Sequence, residues 1–229
     1  MLHPLGYVEG KFNKFLGSFI GPEGCCIASQ EFYETLKDVK HKRGYTMQVL
    51  RGSGPFETAL LSRKFRSLQF GKNFHKRFLR DYGHSIPIAI ICEDLPEKHN
   101  SVELDHKNKD TGGMPGVKIN YKLSENSKKM LAHGISKAKE VMKVVGAKSI
   151  KAFGPVRHTG WHLMGTTKMG KSKKNSVVNQ YGQTHEIKNL VIIDSSVFVT
   201  SGGVNPMSTL QAIALKITNE IKIAPNKYF

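Results

Sequence analysis

The sequence is short of acid, of cysteine and of long apolar runs, and each shortage closes a class of function. Eighteen Asp and Glu stand against 35 Lys and Arg, giving a net charge of +17 and a pI near 9.8. That balance fits a nucleic acid or an acidic surface. The basic residues are mostly Lys, however, and run from Lys11 to Lys227, densest at Lys40–Arg43, Arg63–Arg80 and Lys168–Lys174. No zinc pattern or aromatic RNA-binding motif accompanies them, so a solvated surface explains them without a polyanion. Three cysteines, Cys25, Cys26 and Cys92, make no disulfide framework, and vicinal cysteines rarely bridge each other. Buried thiols in a reducing compartment are the expectation. No apolar run approaches the roughly 18–20 residues that cross a bilayer, and the start, MLHPLGYVEGKF, lacks the apolar centre of a signal peptide. Cytoplasmic is therefore the expected location.

What remains is long enough, at 229 residues, for one large or two small cores. Alternating apolar residues predict strands at Tyr7–Phe12 and Tyr45–Leu50, and Cys25–Phe32, after a Gly-Pro-Glu-Gly turn, reads as another. From Thr58 to Asp81 the period turns helical, with a break at Gly71, and its aromatic, basic stripe reads as a core-facing helix face. Ile86–Cys92 is a continuous apolar run, the pattern of a buried strand. Ser101–Leu104 and Val117–Tyr121 flank a Gly-rich turn, as in a hairpin. Ser124 caps a helix to about Val145, stopped by Gly146, and Ser149–Phe153 is a further strand. These elements predict an α+β fold in which an antiparallel or mixed sheet carries helices on one side.

The chemistry concentrates in Gly160–Ile221. Gly165–Ser172 spells G-x4-G-K-[ST], the phosphate loop, and Leu190–Asp194 imitates the strand and acidic residue of its companion motif. That loop requires a buried strand before it and a helix after it. Arg157–His162 is no buried strand, and Lys173–Asn179 has no helical period. His158 and His162 have the i, i+4 spacing of two metal ligands, but Gly160 lies between them and no third ligand is near. His162 alone reads either as a structural histidine or as a general base held in a Gly/Thr-rich turn. Asn205-Pro206 reads as a helix start, with Asn205 as the cap and Pro206 at the first helical position. The helix would bury Leu210, Ile213, Ala214, Ile217 and Ile221, leaving the N–H groups of Met207, Ser208 and Thr209 at its positive end.

Together these residues resemble the C-terminal portion of a glucose–methanol–choline (GMC) oxidoreductase, in its gluconate- or choline-dehydrogenase-like branch. The matching residues are Trp161-His162-Leu-Met-Gly165-Thr166-x-x-Met169-Gly170, Ser176-Val177-Val178, Asn189–Phe198 and Asn205-Pro206-x-x-Thr209. Upstream, Glu93–Pro96, Asn100–Leu104 and Tyr121–Asn126 also look like that family, and the likeness reaches back to His3-Pro4. The resemblance implies an FAD enzyme that oxidises CH–OH donors such as an alcohol, sugar or polyol. It implies His162 as the base while hydride passes to flavin N5, with Asn205 as the second member of the catalytic pair. Asp194 and Ser195 match positions near the ribityl–pyrophosphate part of FAD, while Asn205, Pro206 and Met207 match those at the flavin ring. It further implies a substrate-domain portion over residues 1–158 and a catalytic segment over 159–229. The strand Leu190–Ile193 and the last helix would return to a Rossmann-like FAD-binding domain.

One departure stands out. The family's dinucleotide fold opens with G-x-G-x-x-G, and no such turn occurs here. The chain therefore resembles a C-terminal fragment whose N-terminal FAD-binding segment is absent, inactive alone. Its electron acceptor, whether oxygen, a quinone or a cytochrome, is not written in the sequence. Two other classes compete: a non-catalytic basic binding or scaffold module, and a P-loop NTPase.

Overall fold

A computed structural model describes residues 1–21, 24–35, 37–64, 71–156 and 161–228, with no side-chain description for 60–64 and 227. The chain forms two compact units: Met1–Pro4, Glu93–Lys128 and Thr159–Phe229 make one, and Leu5–Cys92 with Lys129–His158 make the other. The division expected at 158/159 is one of the four points where the chain passes between them, while 93–128 group with the C-terminal stretch.

The second unit is built on a five-stranded antiparallel sheet. Its strands are β1 (Leu5–Lys11), β2 (Cys25–Ser29), β3 (Tyr45–Leu50), β4 (Ser85–Cys92) and, later in the chain, Ser149–Phe153. β1 pairs with β4 from Leu5↔Ile91 to Lys11↔Ser85, and β4 pairs with β3. The Ser149–Phe153 strand lies on the far side of β1. The apolar run of β4 has a physical cause in this order. Ile88, Ile90 and Cys92 enter one cluster and Ala89 and Ile91 another, so both faces are covered and the strand does not alternate.

The larger cluster forms beneath α3 (Glu125–Val144), whose Met130, Leu131, Ala138 and Met142 are buried against Val8, Tyr45 and Ile90. Each such aliphatic side chain contributes about 1.5–3 kcal/mol on burial. The Ser124 hydroxyl accepts the Ser127 N–H at 3.1 Å, the cap read from the sequence. Within the second unit, the Tyr45 hydroxyl meets His133 Nδ1 at 2.9 Å. Burial pushes that hydroxyl well above its usual range.

Two expectations change here. Cys25 and Cys26 are exposed rather than buried, because β2 is the edge strand and among the described residues none covers either of its faces. The stripe expected to face a core divides into α1 (Pro55–Lys64) and α2 (Phe74–Asp81), with 65–70 outside the described residues. No residue of α2 is fully buried: Phe74 and Phe78 are half-buried, stacked with Tyr82 in a surface aromatic row.

The first unit carries the hairpin β5 (Ser101–Lys109) and β6 (Pro115–Asn120), with Val102↔Ile119 and Leu104↔Val117 in register. Ser149–Phe153 is β7, and the chain closes with α4 (Met207–Ile223). Among the described residues no helix is long and apolar enough to cross a membrane.

Gly134 reports how closely α3 sits on its sheet. A Cβ there would lie 2.6 Å from Ile90 Cγ2 and 3.2 Å from the Tyr45 ring. Gly134→Ala gains about 1 kcal/mol of helix propensity, but overpacking against a buried, branched Ile costs about 1–3 kcal/mol. We expect net destabilisation, read as a lower denaturant midpoint at unchanged m-value; a raised midpoint would contradict this packing.

Candidate functional site

The first unit is organised by a carboxylate that cannot reach water. Asp94 is 1% exposed and stands just past the end of β4, where the apolar run gives way to Glu93-Asp94. Its Oδ2 accepts the Leu2 N–H and the Tyr121 hydroxyl, each at 3.1 Å, and its Oδ1 accepts the Ser127 hydroxyl at 3.1 Å. Burial pushes its pKa above the usual carboxylate range, and the three donors pull the other way. Its main chain is held as firmly. The Asp94 N–H donates to Ser201 Oγ at 2.8 Å, and the Ser201 hydroxyl donates to the Asp94 carbonyl at 2.9 Å. The Thr200 hydroxyl reaches Glu93 Oε1 at 3.2 Å, so the small-residue loop before α4 is pinned to the same place.

From Leu2 the restraint passes to His162. Met1 N donates to the Met164 carbonyl at 2.9 Å and Met164 N returns the bond at 3.0 Å. On its other side this segment is tied to a one-turn helix, Ser195–Val197. Gly165 N–H bonds Ser195 O (3.2 Å), Thr167 N–H bonds Ser196 O (2.9 Å) and Met169 N–H bonds Val197 O (2.9 Å). So short a helix satisfies few of its own carbonyls, which are left for the neighbouring segment. The Ser195 hydroxyl adds a bond to the Leu163 carbonyl at 2.6 Å.

His162 sits at the head of this ladder with φ +58°, in the left-handed region that costs a non-glycine residue about 1–2 kcal/mol. Its neighbours Trp161 and Leu163 are exposed and Met164 is buried, so the turn presents the imidazole between solvent and core. Among the described residues its buried Nδ1 has no hydrogen-bond partner. Burial holds the ring's pKa below 6.5. A half-buried imidazole that is neutral at neutral pH is a competent base.

Asp194, proposed from sequence as a cofactor contact, caps the one-turn helix: its Oδ1 accepts the Ser196 N–H at 2.8 Å. Asp194 and Ser195 also line a cavity of about 400 Å³, together with Val102, Val117 and Ile119 of the hairpin. The run Leu190–Ile193 is not the strand expected. It makes one bridge, Gln183↔Val191, before Asp194 turns the chain, so no ladder extends it.

At α4 the expected cap shifts by one residue. The helix runs Met207–Ile223 with Pro206 in the cap position and no side-chain cap. The Pro206 carbonyl accepts Leu210 N–H at 2.9 Å, the first helix-closing bond, so Asn205 lies one residue outside. Asn205 and Met207 are exposed and Pro206 is buried. Leu210, Ile213, Ala214, Ile217 and Ile221 do share the less exposed face, but only Ile217 is fully buried. The bonds that hold the His162 turn run to Met1 and to Ser195–Val197, while Asn205 enters from the loop that Asp94 holds.

The phosphate-loop spelling has no structure to match. Residues 171–180 contain turns and a bridge but no helix, so no helix N-terminus faces Gly165–Ser172. His158, the other half of the metal spacing, lies outside the described residues. Asp94 was missed as an organising residue; its only sequence signal is an acidic pair closing a buried strand.

Comparison with known proteins settles the family. The profile described as GMC oxidoreductase matches residues 96–214. The chain belongs to the GMC oxidoreductase family, and corresponds to its C-terminal portion. It is 35% identical over 197 residues to 2-methyl-1,2-propanediol dehydrogenase of Mycolicibacterium austroafricanum, covering 86% of this chain and 36% of that one. It is 28% identical over 151 residues to the fructose dehydrogenase large subunit of Gluconobacter japonicus, covering 66% of this chain and 28% of that one. The crystal structure of pyridoxine 4-oxidase from Mesorbium loti superposes with a TM-score of 0.61 at 12% identity, over 96% of this chain and 42% of that one. That likeness shows a shared fold, mixed α and β with antiparallel sheets. The chain thus spans about a third of the length of these relatives.

Gly165 tests the ladder. It has φ +84°, and a Cβ would stand 3.1 Å from the Phe198 carbonyl and 2.5 Å from Met1 Cε. Gly165→Ala should cost about 1–3 kcal/mol and loosen the Met1–Met164 pair, seen as faster amide exchange at Met164. Unchanged stability and exchange would show that the turn tolerates a side chain.

Proposed function

We propose that this chain is the catalytic C-terminal part of an FAD-dependent oxidoreductase acting on the CH–OH group of an alcohol, sugar or polyol. The observation that carries the reading is His162: an imidazole kept neutral by burial, on a strained turn bonded along its length, in the family's His-x-x-Gly-Thr context. His162 Nε2 would accept the substrate's hydroxyl proton. Asn205 would hydrogen-bond the same oxygen as negative charge develops on it.

The residues present suit a flavin. The loop Thr200–Val204 is small enough for a flat ring to approach, and the N–H groups of Met207, Ser208 and Thr209 precede the first closed turn of α4. Asn205, Pro206 and Met207 would hold the ring, and the helix's positive end would favour negative charge on it. Asp194 and Ser195, beside the 400 Å³ cavity, would serve the ribityl–pyrophosphate part. Bound FAD supplies the acceptor for the hydride that leaves carbon. Turnover would require the FAD-binding portion of a GMC protein as partner, so the chain alone is expected to be inactive.

Produced together with such a portion, the chain should give a yellow protein that an alcohol bleaches under anaerobic conditions. His162→Ala should slow bleaching by about 10²–10⁴-fold, and Asn205→Ala by less. Because burial lowers the His162 pKa, the acid limb of the kcat/KM profile should fall below pH 6.5. Full-rate bleaching in His162→Ala would refute the assignment.

A further inference from the structure

We propose that His3 is the positioning residue for His162, locking its imidazole with Nδ1 inward; this rests on the reading of His162 as the base. The lock follows from register. Met1 and Met164 exchange both backbone hydrogen bonds, the mark of a directly opposed antiparallel pair. Two residues further along one segment and two back along the other, His3 faces His162. Their ring centroids are 5.1 Å apart with planes at 80°, an edge-to-face contact.

His3 is well placed to act as the fixed member. It is 4% exposed. Leu2 before it is bonded to Asp94, and Pro4 after it restricts the backbone. An imidazole is usually fixed by a hydrogen bond at the ring nitrogen that faces away from substrate, and for His162 the described residues supply none. Among the described residues its buried Nδ1 has no such bond, and packing sets the ring's angle. Trp161 is 57% exposed and Leu163 is 52% exposed, so neither neighbour in sequence encloses the ring. His3 supplies that contact. The charged groups bonded to the segments that carry the pair are the Asp94 carboxylate, on Leu2, and the Met1 amine, on Met164.

The test uses the whole chain with isotope-labelled histidine, His162 signals being assigned with His162→Gln. A ring-to-ring nuclear Overhauser effect between His3 and His162 is expected, and its absence in the unmodified chain would overturn the lock without any variant. His3→Phe, which keeps an aromatic edge, should preserve the His162 titration midpoint. His3→Ala should release the ring and move the midpoint up towards 6.5. In the flavin-loaded protein His3→Ala should lower kcat about 10–100-fold with KM little changed, whereas His3→Phe should retain most of it. An unchanged His162 midpoint in His3→Ala, or equal losses in both variants, would overturn the lock alone. The expected ring contact alongside full activity in His162→Ala would instead overturn the base assignment.

Discussion

The first unit depends on how one buried carboxylate is satisfied. An isolated ionised group taken out of water costs several kcal/mol unless donors replace the water. Asp94 finds three, on Leu2, Tyr121 and Ser127, and its main chain binds Ser201. These donors come from the N-terminal residues, the end of the hairpin, the first turn of α3 and the loop before α4. Removing the Ser127 or Ser201 hydroxyl takes away the side-chain partner of a buried polar atom, Oδ1 or the Asp94 N–H, at a cost of about 1–3 kcal/mol, while Oδ2 has two donors. The carboxylate therefore selects an arrangement in which all four stretches meet. Two of them bear on the proposed chemistry: the N-terminal residues place His3 and Met1 beside the His162 turn, and the Ser201 loop leads to Asn205 and α4.

Much of the framework could be read from the sequence because local patterns and packing agree. The apolar run of β4 announced a strand covered on both faces, and α3 showed its cap, its three-and-four spacing and its glycine stop. The His162 segment was legible for a different reason, as a long ordered match to family motifs. What escaped was everything set by residues far apart in the chain. Asp94 draws donors from positions 2, 121, 127 and 201, and no local pattern marks that convergence. Cys25 and Cys26 were expected inside, yet only sheet order reveals that β2 is an edge. Leu190–Ile193 has a strand's composition and lacks the paired ladder that would make it one. Asn205 has a cap's chemistry, but Pro206 takes that position.

The exposed apolar residues are consistent with a chain that spans about a third of its relatives' length. On the hairpin, Val102, Leu104, Val117 and Ile119 share one face and are each about half exposed or more, at 48%, 62%, 70% and 58%. On α4, Leu215 and Ile223 are 71% and 68% exposed. Such faces are uncommon on a finished surface when they are contiguous. The proposed requirement for an FAD-binding portion gives them a purpose.

Amide hydrogen exchange in Asp94→Asn tests most directly whether this carboxylate holds the His162 turn. The substitution keeps the side chain's shape and replaces one acceptor oxygen with a donor. If Asp94 positions the turn through Leu2 and Met1, the Leu2, Met164 and Gly165 amides should together exchange at least about tenfold faster. If Leu2 alone accelerates while Met164 and Gly165 keep their protection, the turn is held by the Ser195–Val197 ladder and Asp94 is not what positions His162.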